Sequence, residues 1–488
     1  MAALTTLTDE ARIALDTVTG RATNLFSPSI RLGVSGLSRA GKTVFISALV
    51  HNLIHGGRLP LFDARKSGRI AKAYLQHQPD DAVPRFQYED HIAALVNDRI
   101  WPESTRAISE LRLTIEYESA SAWNRMFSAG RLSVDIVDYP GEWLLDLPLL
   151  GKSYEEFSRE AFELAELPVR AELSEKWREQ AAEADGDGPP DETLARHLFE
   201  TFADYLRACK QDERALSTLP PGRFLMPGDL EGSPALTFAP LPASNAPPKP
   251  NSLRAVMARR YESYKTHVVK PFFREHITRL DRQIVLVDVM QAINAGPAAV
   301  TDLERALTEI LHCFRLGRGS LFTDLFAQRI DRILIAATKA DHIHHSEHDK
   351  LQAIVRRLAD RAIARANFSG ATVEAVAMAA IRATREGTVK QGRETLPVII
   401  GTPMKGETIG DETFNGESET AVFPGDLPDK PALLFKPSGQ DGGQSGNEIR
   451  FVRFRPPKLE QTAEGVTLSL PHIRLDRALQ FLLGDRLA

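Results

Sequence analysis

The chain has 488 residues, of which 43% are hydrophobic and 26% are charged, a composition typical of a globular protein that is too long for one compact core. A formal net charge of -5 excludes a general attraction to nucleic acid or to anionic membranes, so we expect no nucleic-acid partner. The 2 cysteines, Cys209 and Cys313, are too few for a disulfide framework. We expect no signal peptide and no membrane span, and therefore a cytoplasmic protein whose contact with the inner membrane would be peripheral and through a partner.

Residues 8–24 have the spacing of a short amphipathic helix, and the first chemical motif follows it. An apolar run at 30–34 precedes the loop Gly36 to Thr43, which reads Gly-x4-Gly-Lys-Thr, and an amphipathic segment begins at Val44. A strand, a glycine-rich loop and a helix in this order bind phosphate, because loop N–H groups and the positive end of the helix dipole face one point. A glycine-rich turn with a solvated lysine is the alternative.

Side chains of this loop have distinct expected roles. Lys42 is expected to reach the β- and γ-phosphates and to act in catalysis as a positive charge, and the Thr43 hydroxyl is expected to ligate Mg²⁺. Arg39 is a candidate internal arginine finger, with a solvent-exposed arginine as the alternative. The residues expected to contact the nucleotide here are Gly36, Ser38, Arg39, Ala40, Gly41, Lys42 and Thr43.

The basic stretch at residues 65–72 has no clear periodicity, whereas two strands are clear further on. Hydrophobic residues alternate at 108–117 and at 132–137, which predicts two half-buried strands paired antiparallel. The second strand leads into Asp138, the first residue of an Asp-x-x-Gly motif that ends at Gly141. The carboxylate can hold Mg²⁺ through water and the glycine N–H can sense a γ-phosphate, although Asp138 could also be a turn residue.

The pattern from 143 to 280 is helical and predicts an insertion. Buried strands resume afterwards with helices between them, which indicates a parallel sheet with right-handed crossovers. These strands are predicted at 284–289, 330–337 and 373–379.

The strand ending at residue 337 is followed by Thr338-Lys339-Ala340-Asp341, which resembles the Asn/Thr-Lys-x-Asp motif of GTPases. In that motif the aspartate accepts two hydrogen bonds from guanine N1–H and the 2-amino group, while the lysine stem covers the base. Adenine offers neither donor and would leave the carboxylate unpaired. If Asp341 is only a helix cap, an ATPase remains open.

Two further elements of a guanine-nucleotide site are predicted from position in the chain. Thr105, with Ser104 as the alternate, is placed to ligate Mg²⁺ in the loop before the second strand of the nucleotide-binding domain. Backbone N–H groups at Ala379 and Ala380, after the last strand, are placed to support the base. The usual serine is missing there, which weakens this motif without excluding guanine.

The order of these elements is that of an α/β P-loop NTPase of the Ras-like G-domain type. We expect a mostly parallel sheet with one antiparallel strand, helices on both faces, a large helical insertion and a small β-rich C-terminal region in which 396–401 and 451–454 are strands. The predicted division is an N-terminal helix (1–25), the first part of the G domain (26–143), the helical insertion (144–281), the second part of the G domain (282–383), the β-rich region (384–471) and a helix packed on the G domain (472–488).

Several runs together resemble the YcjX-like family of bacterial P-loop proteins over nearly the full length. They are Trp101-Pro102-Glu103-Ser104-Thr105, the run from Asp138 to Trp143, Leu286-Val287-Asp288 with Asn294-Ala295-Gly296, and Thr338 to His342. The resemblance implies GTP or GDP as the ligand, and a link to bacterial envelope stress with an effector that is not identified.

Many G proteins orient the attacking water with a glutamine after Asp-x-x-Gly, whereas this chain has Glu142. A carboxylate cannot donate to the developing negative charge, and a nearby phosphate should resist its ionisation, so we expect slow intrinsic hydrolysis. A nucleotide-driven shift at Gly141 would be passed into the insertion that follows it. The alternative is a scaffold or membrane-associated adaptor that binds nucleotide with negligible turnover.

Four histidines close together after Asp341 raise the separate possibility of a zinc site, with a solvated loop as the alternative: His342, His344, His345 and His348.

Overall fold

The computed structural model describes residues 28–37, 39–103, 107–120, 130–212, 216–244, 249–313, 330–367, 371–391, 394–436, 449–459 and 469–488. The predicted helix at 8–24 and the predicted site residues Ser38, Ser104 and Thr105 lie outside these ranges.

A seven-stranded sheet lies at the centre of the described fold. Its strands are β1 (Ser29–Gly36), β2 (Ile70–Gln76), β3 (Ser109–Tyr117), β4 (Gly130–Asp138), β5 (Arg282–Val287), β6 (Arg332–Ala337) and β7 (Thr372–Ala377). They lie in the order β2-β3-β4-β1-β5-β6-β7. β3 is antiparallel to both of its neighbours and the other pairs are parallel. The predicted mostly parallel sheet with one antiparallel strand is therefore confirmed.

Strand β2 was not among the predicted strands, and it begins within the basic stretch at 65–72 that shows no clear periodicity. Its residues are only partly buried, because it lies at the sheet edge and pairs with β3 alone. An edge strand with exposed lysine gives a weak hydrophobic pattern and is protected against pairing with other chains. The sequence signal was weak for this physical reason.

Helices cover both faces of the sheet. In chain order they are α1 (Lys42–Ile54), α2 (Asp63–Lys66), α3 (Tyr88–Ala93), α4 (Tyr154–Ala165), α5 (Ala171–Glu183), α6 (Glu192–Gln211), α7 (Leu253–Tyr264), α8 (Lys270–Glu275), α9 (Val289–Ala295), α10 (Pro297–Cys313), α11 (His348–Asn367) and α12 (Leu475–Leu483). Successive side chains of β5 belong to two different hydrophobic cores, one on each face of the sheet. Ile284 and Leu286 pack with α1 and α12, whereas Val285 and Val287 pack with α4 to α11.

The segment between β4 and β5 begins with a 3-10 helix, Gly141–Gly151, and continues through α4 to α8. It is tied to α10 by a buried ion pair in which Arg170 Nη2 lies 2.6 Å from Asp302 Oδ1. The other oxygen of Asp302 accepts hydrogen bonds from the backbone N–H groups of Ser217 and Thr218. These helices therefore share a hydrophobic core with the sheet and a buried polar anchor with α10.

After β7 the chain forms short strands, β8 (Arg385–Gln391), β9 (Glu394–Gly401), β10 (Thr408–Ile409), β11 (Glu412–Thr413) and β12 (Thr420–Val422). The β-rich character of this region is confirmed, but the prediction of a strand at 451–454 is wrong. Within it only Phe454 pairs, in an isolated bridge with Pro403. Side chains take the neighbouring backbone groups instead, since Asn294 accepts from Phe451 N and Glu407 accepts from Arg453 N.

None of the helices in the described ranges has both the length and the apolar character needed to cross a lipid bilayer.

Candidate functional site

The predicted motifs meet at one edge of the sheet, where the parallel strands β1, β5, β6 and β7 end. A cleft of about 2090 Å³ opens there. Its walls include residues 39–45 of the glycine-rich loop, residues 338, 339 and 341 after β6, and residues 378–381 after β7. Crevices outside the carboxyl ends of strands are where open α/β sheets bind ligands.

The glycine-rich loop turns sharply into α1. Gly41 has a φ of 80°, in the left-handed region that glycine adopts without strain, and open space surrounds the position of a Cβ there. Helix α1 begins at Lys42, and its N-terminus faces the cleft with Lys42 and Thr43 on the wall. Arg39 also has a positive φ, of 63°, and its side chain is exposed at the cleft. Backbone donors and two cations therefore surround this end of the cleft.

Of the two described residues predicted to ligate Mg²⁺, Thr43 is on the wall of the cleft at this end, whereas Asp138 is buried and not on the wall. Asp138 is the last residue of β4 and is paired in register with Val34 of β1, just before the loop. It is 2% exposed. The Thr43 hydroxyl donates a hydrogen bond of 3.4 Å to the carbonyl of Glu103. A hydroxyl and a carboxylate are hard oxygen donors that suit Mg²⁺, so the chemistry of these side chains fits this ion.

Gly141 packs directly against the glycine-rich loop. A Cβ on Gly141 would lie 1.7 Å from the carbonyl oxygen of Gly36, and a Cβ on Gly222 would lie 1.8 Å from the carbonyl oxygen of Glu142. Both are closer than atoms can approach, so only glycine fits either position. The backbone of 141–142 is thus enclosed between Gly36 of the glycine-rich loop and Gly222.

Glu142 is mostly buried and forms an ion pair with Lys210 of α6, with 2.7 Å between Nζ and Oε1. Burial opposes ionisation of this carboxyl, but the charges of Lys210 and Lys42 outweigh it and hold the pKa of Glu142 below its ordinary value. The carboxyl is therefore ionised at neutral pH, because Lys210 and Lys42 favour its charged form.

The Thr-Lys-x-Asp motif follows β6 at the other end of the cleft. Lys339 forms an ion pair with Asp288, which also caps α9 by accepting a hydrogen bond from Gln291 N. Asp341 is 4% exposed, and its Oδ2 accepts a 2.8 Å hydrogen bond from Ala383 N. Both side chains are thus fixed by residues from neighbouring loops.

The two alanines after β7 differ in what their backbones can offer. Ala379 N donates to Ile473 O at 3.0 Å, so this N–H is used within the protein. Ala380, the next residue on the wall of the cleft, is the better candidate for contact with a base.

The four histidines after Asp341 do not form one cluster. His342 and His348 are buried, and His348 Nε2 donates to the carbonyl of Ala340 at 2.9 Å. His344 and His345 instead approach Glu386 of β8, and one ligand atom from each of these three residues lies within 4.8 Å of the others. Arg382 also lies 3.6 Å from Glu386, and a cation there competes with a metal ion.

The sequence assigned no role at the site to three residues that the structure places there. Phe454 lines the cleft and Lys210 pairs with Glu142, and both come from parts of the chain that carry no motif. Asp288 belongs to a run that carries the family resemblance, and a role could have been assigned to it, since it directly follows the buried strand β5, at the same strand end as the other motifs.

Known proteins resemble this chain over nearly its full length. The model of the YcjX-like family, DUF463, matches residues 30–487. The chain is 37% identical over 471 residues to a protein of Escherichia coli (strain K12) named "Ras-like GTPase YcjX", covering 94% of this chain and 96% of that protein. It is 34% identical over 478 residues to a Shewanella oneidensis (strain MR-1) protein of the same name, covering 94% of each. The chain therefore belongs to the YcjX-like family.

Proposed function

We propose that this protein binds guanine nucleotide and hydrolyses GTP slowly, with Mg²⁺, as a nucleotide-dependent switch. The observation that carries the proposal is one cleft with the loop ending in Lys42 and Thr43 at one end and Asp341 at the other. The turn that contains Gly141 is not on the wall of the cleft but packs directly against the carbonyl of Gly36 in the loop. The names of the curated relatives support the same chemistry.

At the phosphate end, Gly36 to Thr43 bind the phosphates through backbone N–H groups and Lys42, and Gly141 N–H senses the γ-phosphate. Thr43, Asp138 and Thr105 would hold Mg²⁺, which when bound neutralises charge on the phosphate oxygens. Arg39 is exposed at the cleft, so a role as an internal finger requires its side chain to move toward the phosphates.

At the base end, Asp341 accepts from guanine N1–H and the 2-amino group, and the Lys339 stem covers the ring. The ion pair with Asp288 supports this role, because it holds the lysine across the strand ends. Thr338 and Ala380 complete the contacts, with Ala380 N–H in place of Ala379 N–H.

Hydrolysis is slow because Glu142 is a poor catalyst. It is an ionised carboxylate held by Lys210, so it can accept from water but donates nothing to the transition state. Single-turnover kinetics of the purified protein test this point. We expect a low intrinsic rate that Glu142→Ala changes little, whereas a fast rate abolished by this substitution would contradict the proposal.

The switch is the segment directly after Gly141. Trp143 Nε1 donates to Met226 O at 3.0 Å, the Arg223 guanidinium lies 3.2 Å from the centre of the Trp143 ring, and Asp146 accepts from the N–H groups of Gly222 and Arg223. A shift of Gly141 toward a γ-phosphate would therefore move residues 222–226 with it. Hydrogen exchange over 143–280 that is the same with GTP and GDP would contradict a switch.

Base selectivity is tested by displacing a fluorescent guanine nucleotide with GTP or ATP. We expect GTP to compete and excess ATP to fail. Competition by ATP would show that Asp341 is a structural cap and would favour an ATPase. Multiple-turnover assays with and without lipid vesicles separate a slow GTPase from an adaptor with negligible turnover.

The cellular role is proposed from the family resemblance: a switch in the bacterial envelope stress response that acts in the cytoplasm, at the inner membrane through a protein effector. A stress reporter in cells that carry only a Lys42→Ala variant tests it. Normal reporter induction in those cells would show that the role in the stress response does not require nucleotide binding.

A further inference from the structure

The segment 449–459 borders the proposed nucleotide cleft although it carries no nucleotide-binding motif. Its residues 449–454 form part of the same wall as the glycine-rich loop, Asp341 and the loop at 101–103. A segment in this place can shape the site without contacting the reacting atoms.

This segment is firmly anchored. Phe454 is 1% exposed and lies so close to Gly401 that a Cβ on the glycine would be 2.8 Å from the phenyl ring. Backbone hydrogen bonds on both sides of it join Met404 N to Arg453 O and Arg455 N to Thr402 O, each at 2.8 Å. The segment thus moves with the β-rich region.

A second anchor joins the segment to helix α9. Asn294 donates through Nδ2 to Phe451 O at 2.8 Å and accepts through Oδ1 from Phe451 N at 3.0 Å. Helix α9 begins directly after Asp288, which forms the ion pair with Lys339. The Asn294 amide therefore connects the segment to this part of the site.

The anchored segment in turn holds the loop at 99–103. Trp101 Nε1 donates to Phe454 O at 2.6 Å, and Arg99 Nε donates to Pro456 O at 3.1 Å. Two residues after Trp101, the carbonyl of Glu103 accepts the hydrogen bond from the Thr43 hydroxyl. A continuous chain of contacts therefore runs from Phe454 to the residue proposed to ligate Mg²⁺.

The same phenyl ring also contacts the base end of the cleft. The Phe454 and His342 rings meet edge to face, with 5.3 Å between their centres, and His342 directly follows Asp341. One buried residue of the C-terminal region thus touches both the loop over the phosphate end and the base-reading motif.

We propose that the segment 449–459 is a positioning element of the nucleotide site, and that through Trp101 it fixes the loop at 99–103 over the phosphate and Mg²⁺ end. The inference rests on the proposed function, since it concerns that same site. It assigns a role to the β-rich region: the region sets how strongly the site prefers GTP with Mg²⁺ over GDP. Contacts at the phosphate end differ between the two nucleotides, whereas contacts to the base are shared.

The experiment measures dissociation rates of fluorescent GTP and GDP analogues, with Mg²⁺ and with EDTA, from the full chain and its Trp101→Phe variant. Phenylalanine keeps an aromatic ring but removes the N–H donor. With Mg²⁺, we expect the GTP analogue to dissociate about threefold to tenfold faster from the variant, because one hydrogen bond is lost. In EDTA, we expect the dissociation rate of the GDP analogue to stay within about twofold of the wild-type rate. A general structural defect would change both rates alike.

Two further variants complete the test. Asn294→Ala releases the segment from α9 without touching Trp101, and we expect it to give the same GTP-specific effect even if Trp101→Phe does not fold. Arg385→Ala breaks an exposed ion pair with Glu419 in the β-rich region, and we expect no change in either rate. Equal GTP and GDP effects, or none, in both site variants would overturn this inference while leaving the proposed function intact. A wild-type chain that binds neither nucleotide would overturn the proposed function itself.

Discussion

Lys210 Nζ lies 2.7 Å from Glu142 Oε1, so the last turn of helix α6 is joined to the residue that directly follows Gly141. The two side chains are 26% and 12% exposed, which shields the pair from solvent more than a surface ion pair. An anionic γ-phosphate near Gly141 would repel Glu142 and attract Lys210. The pair would therefore give a bound nucleotide a second route to the segment between β4 and β5, besides the contacts of Gly141 and Trp143.

Replacing Lys210 by methionine should uncouple α6 from the nucleotide. We expect the difference in hydrogen exchange between the GTP-bound and GDP-bound states to shrink over residues 200–212, because the charge that responds to Glu142 is gone. Arg207→Met is the matched control, since Arg207 lies on the same helix and pairs only with Asp204 on the exposed face among the contacts described. An unchanged exchange difference in Lys210→Met would rule out this route.

The buried pair between Arg170 and Asp302 should be essential for stability. Their side chains are 1% and 6% exposed, and Asp302 also accepts from the N–H groups of Ser217 and Thr218. We expect Asp302→Ala to lower the free energy of unfolding by about 3–5 kcal/mol, because it leaves a buried guanidinium without its counter-charge. Urea denaturation followed by tryptophan fluorescence measures this change.

Glu304→Ala on the same helix is the control for Asp302→Ala. Its partner Arg357 is 39% exposed, and pairs of this kind contribute about 0–1 kcal/mol. A loss from Asp302→Ala of no more than about 1 kcal/mol, as expected for the control, would show that helix α10 tolerates the loss of its buried anchor.

The motifs could be predicted from the sequence because each lies within a few residues at a strand end, where local pattern and chemistry coincide. The contacts that hold them could not. Trp101 and Phe454 are 353 positions apart in the sequence, and nothing in either residue type predicts a hydrogen bond between them. Lys210 likewise looks like an ordinary basic residue in the last turn of a helix. The assigned domain boundaries stay a prediction.

The strand predicted at 451–454 does not form, for a related reason. A short, mostly apolar run among Gly- and Pro-rich turns predicts extended backbone, and the backbone does form a bridge at Phe454. A strand also needs a neighbouring backbone along its length, and here Asn294 and Glu407 side chains take that place. Sequence pattern reports burial and extension but not the identity of the hydrogen-bond partner.

Stability should depend on pH through Asp146, which is buried and accepts hydrogen bonds from Gly222 N, Arg223 N and the Tyr264 hydroxyl. Burial raises the pKa of Asp146 from 3.8 to about 7. Between these values the folded state binds more protons than the unfolded chain, so the free energy of unfolding falls as pH rises toward 7 and then levels off.

We expect the wild-type chain to lose more stability between pH 5 and pH 8 than Asp146→Asn, which cannot ionise, and urea denaturation at several pH values measures the difference. Tyr264→Phe provides a second check. It removes a hydrogen bond that lowers the pKa of Asp146, so the decrease should extend to higher pH. Parallel pH profiles for the wild type and Asp146→Asn would show that Asp146 does not titrate in this range.

Asp341→Asn should change which base the site accepts. Asp341 Oδ2 already accepts from Ala383 N, so the asparagine oxygen is expected to keep this bond and turn its amide NH₂ toward the base. An NH₂ group cannot accept from guanine N1–H or the 2-amino group, but it can donate to the 2-oxo group of xanthine. We expect GTP affinity to fall by about 10- to 150-fold, since a hydrogen bond to a charged group contributes about 1.5–3 kcal/mol. Affinity for xanthosine triphosphate should rise.

Competition with a fluorescent nucleotide measures both affinities. Glu347→Gln is a suitable control, because Glu347 is also a buried carboxylate, accepts a hydrogen bond from Leu427 N and is not on the wall of the cleft. Its nucleotide preference should match that of the wild type. If Asp341→Asn weakens GTP and xanthosine triphosphate alike, Asp341 supports the loop through Ala383 and does not read the base.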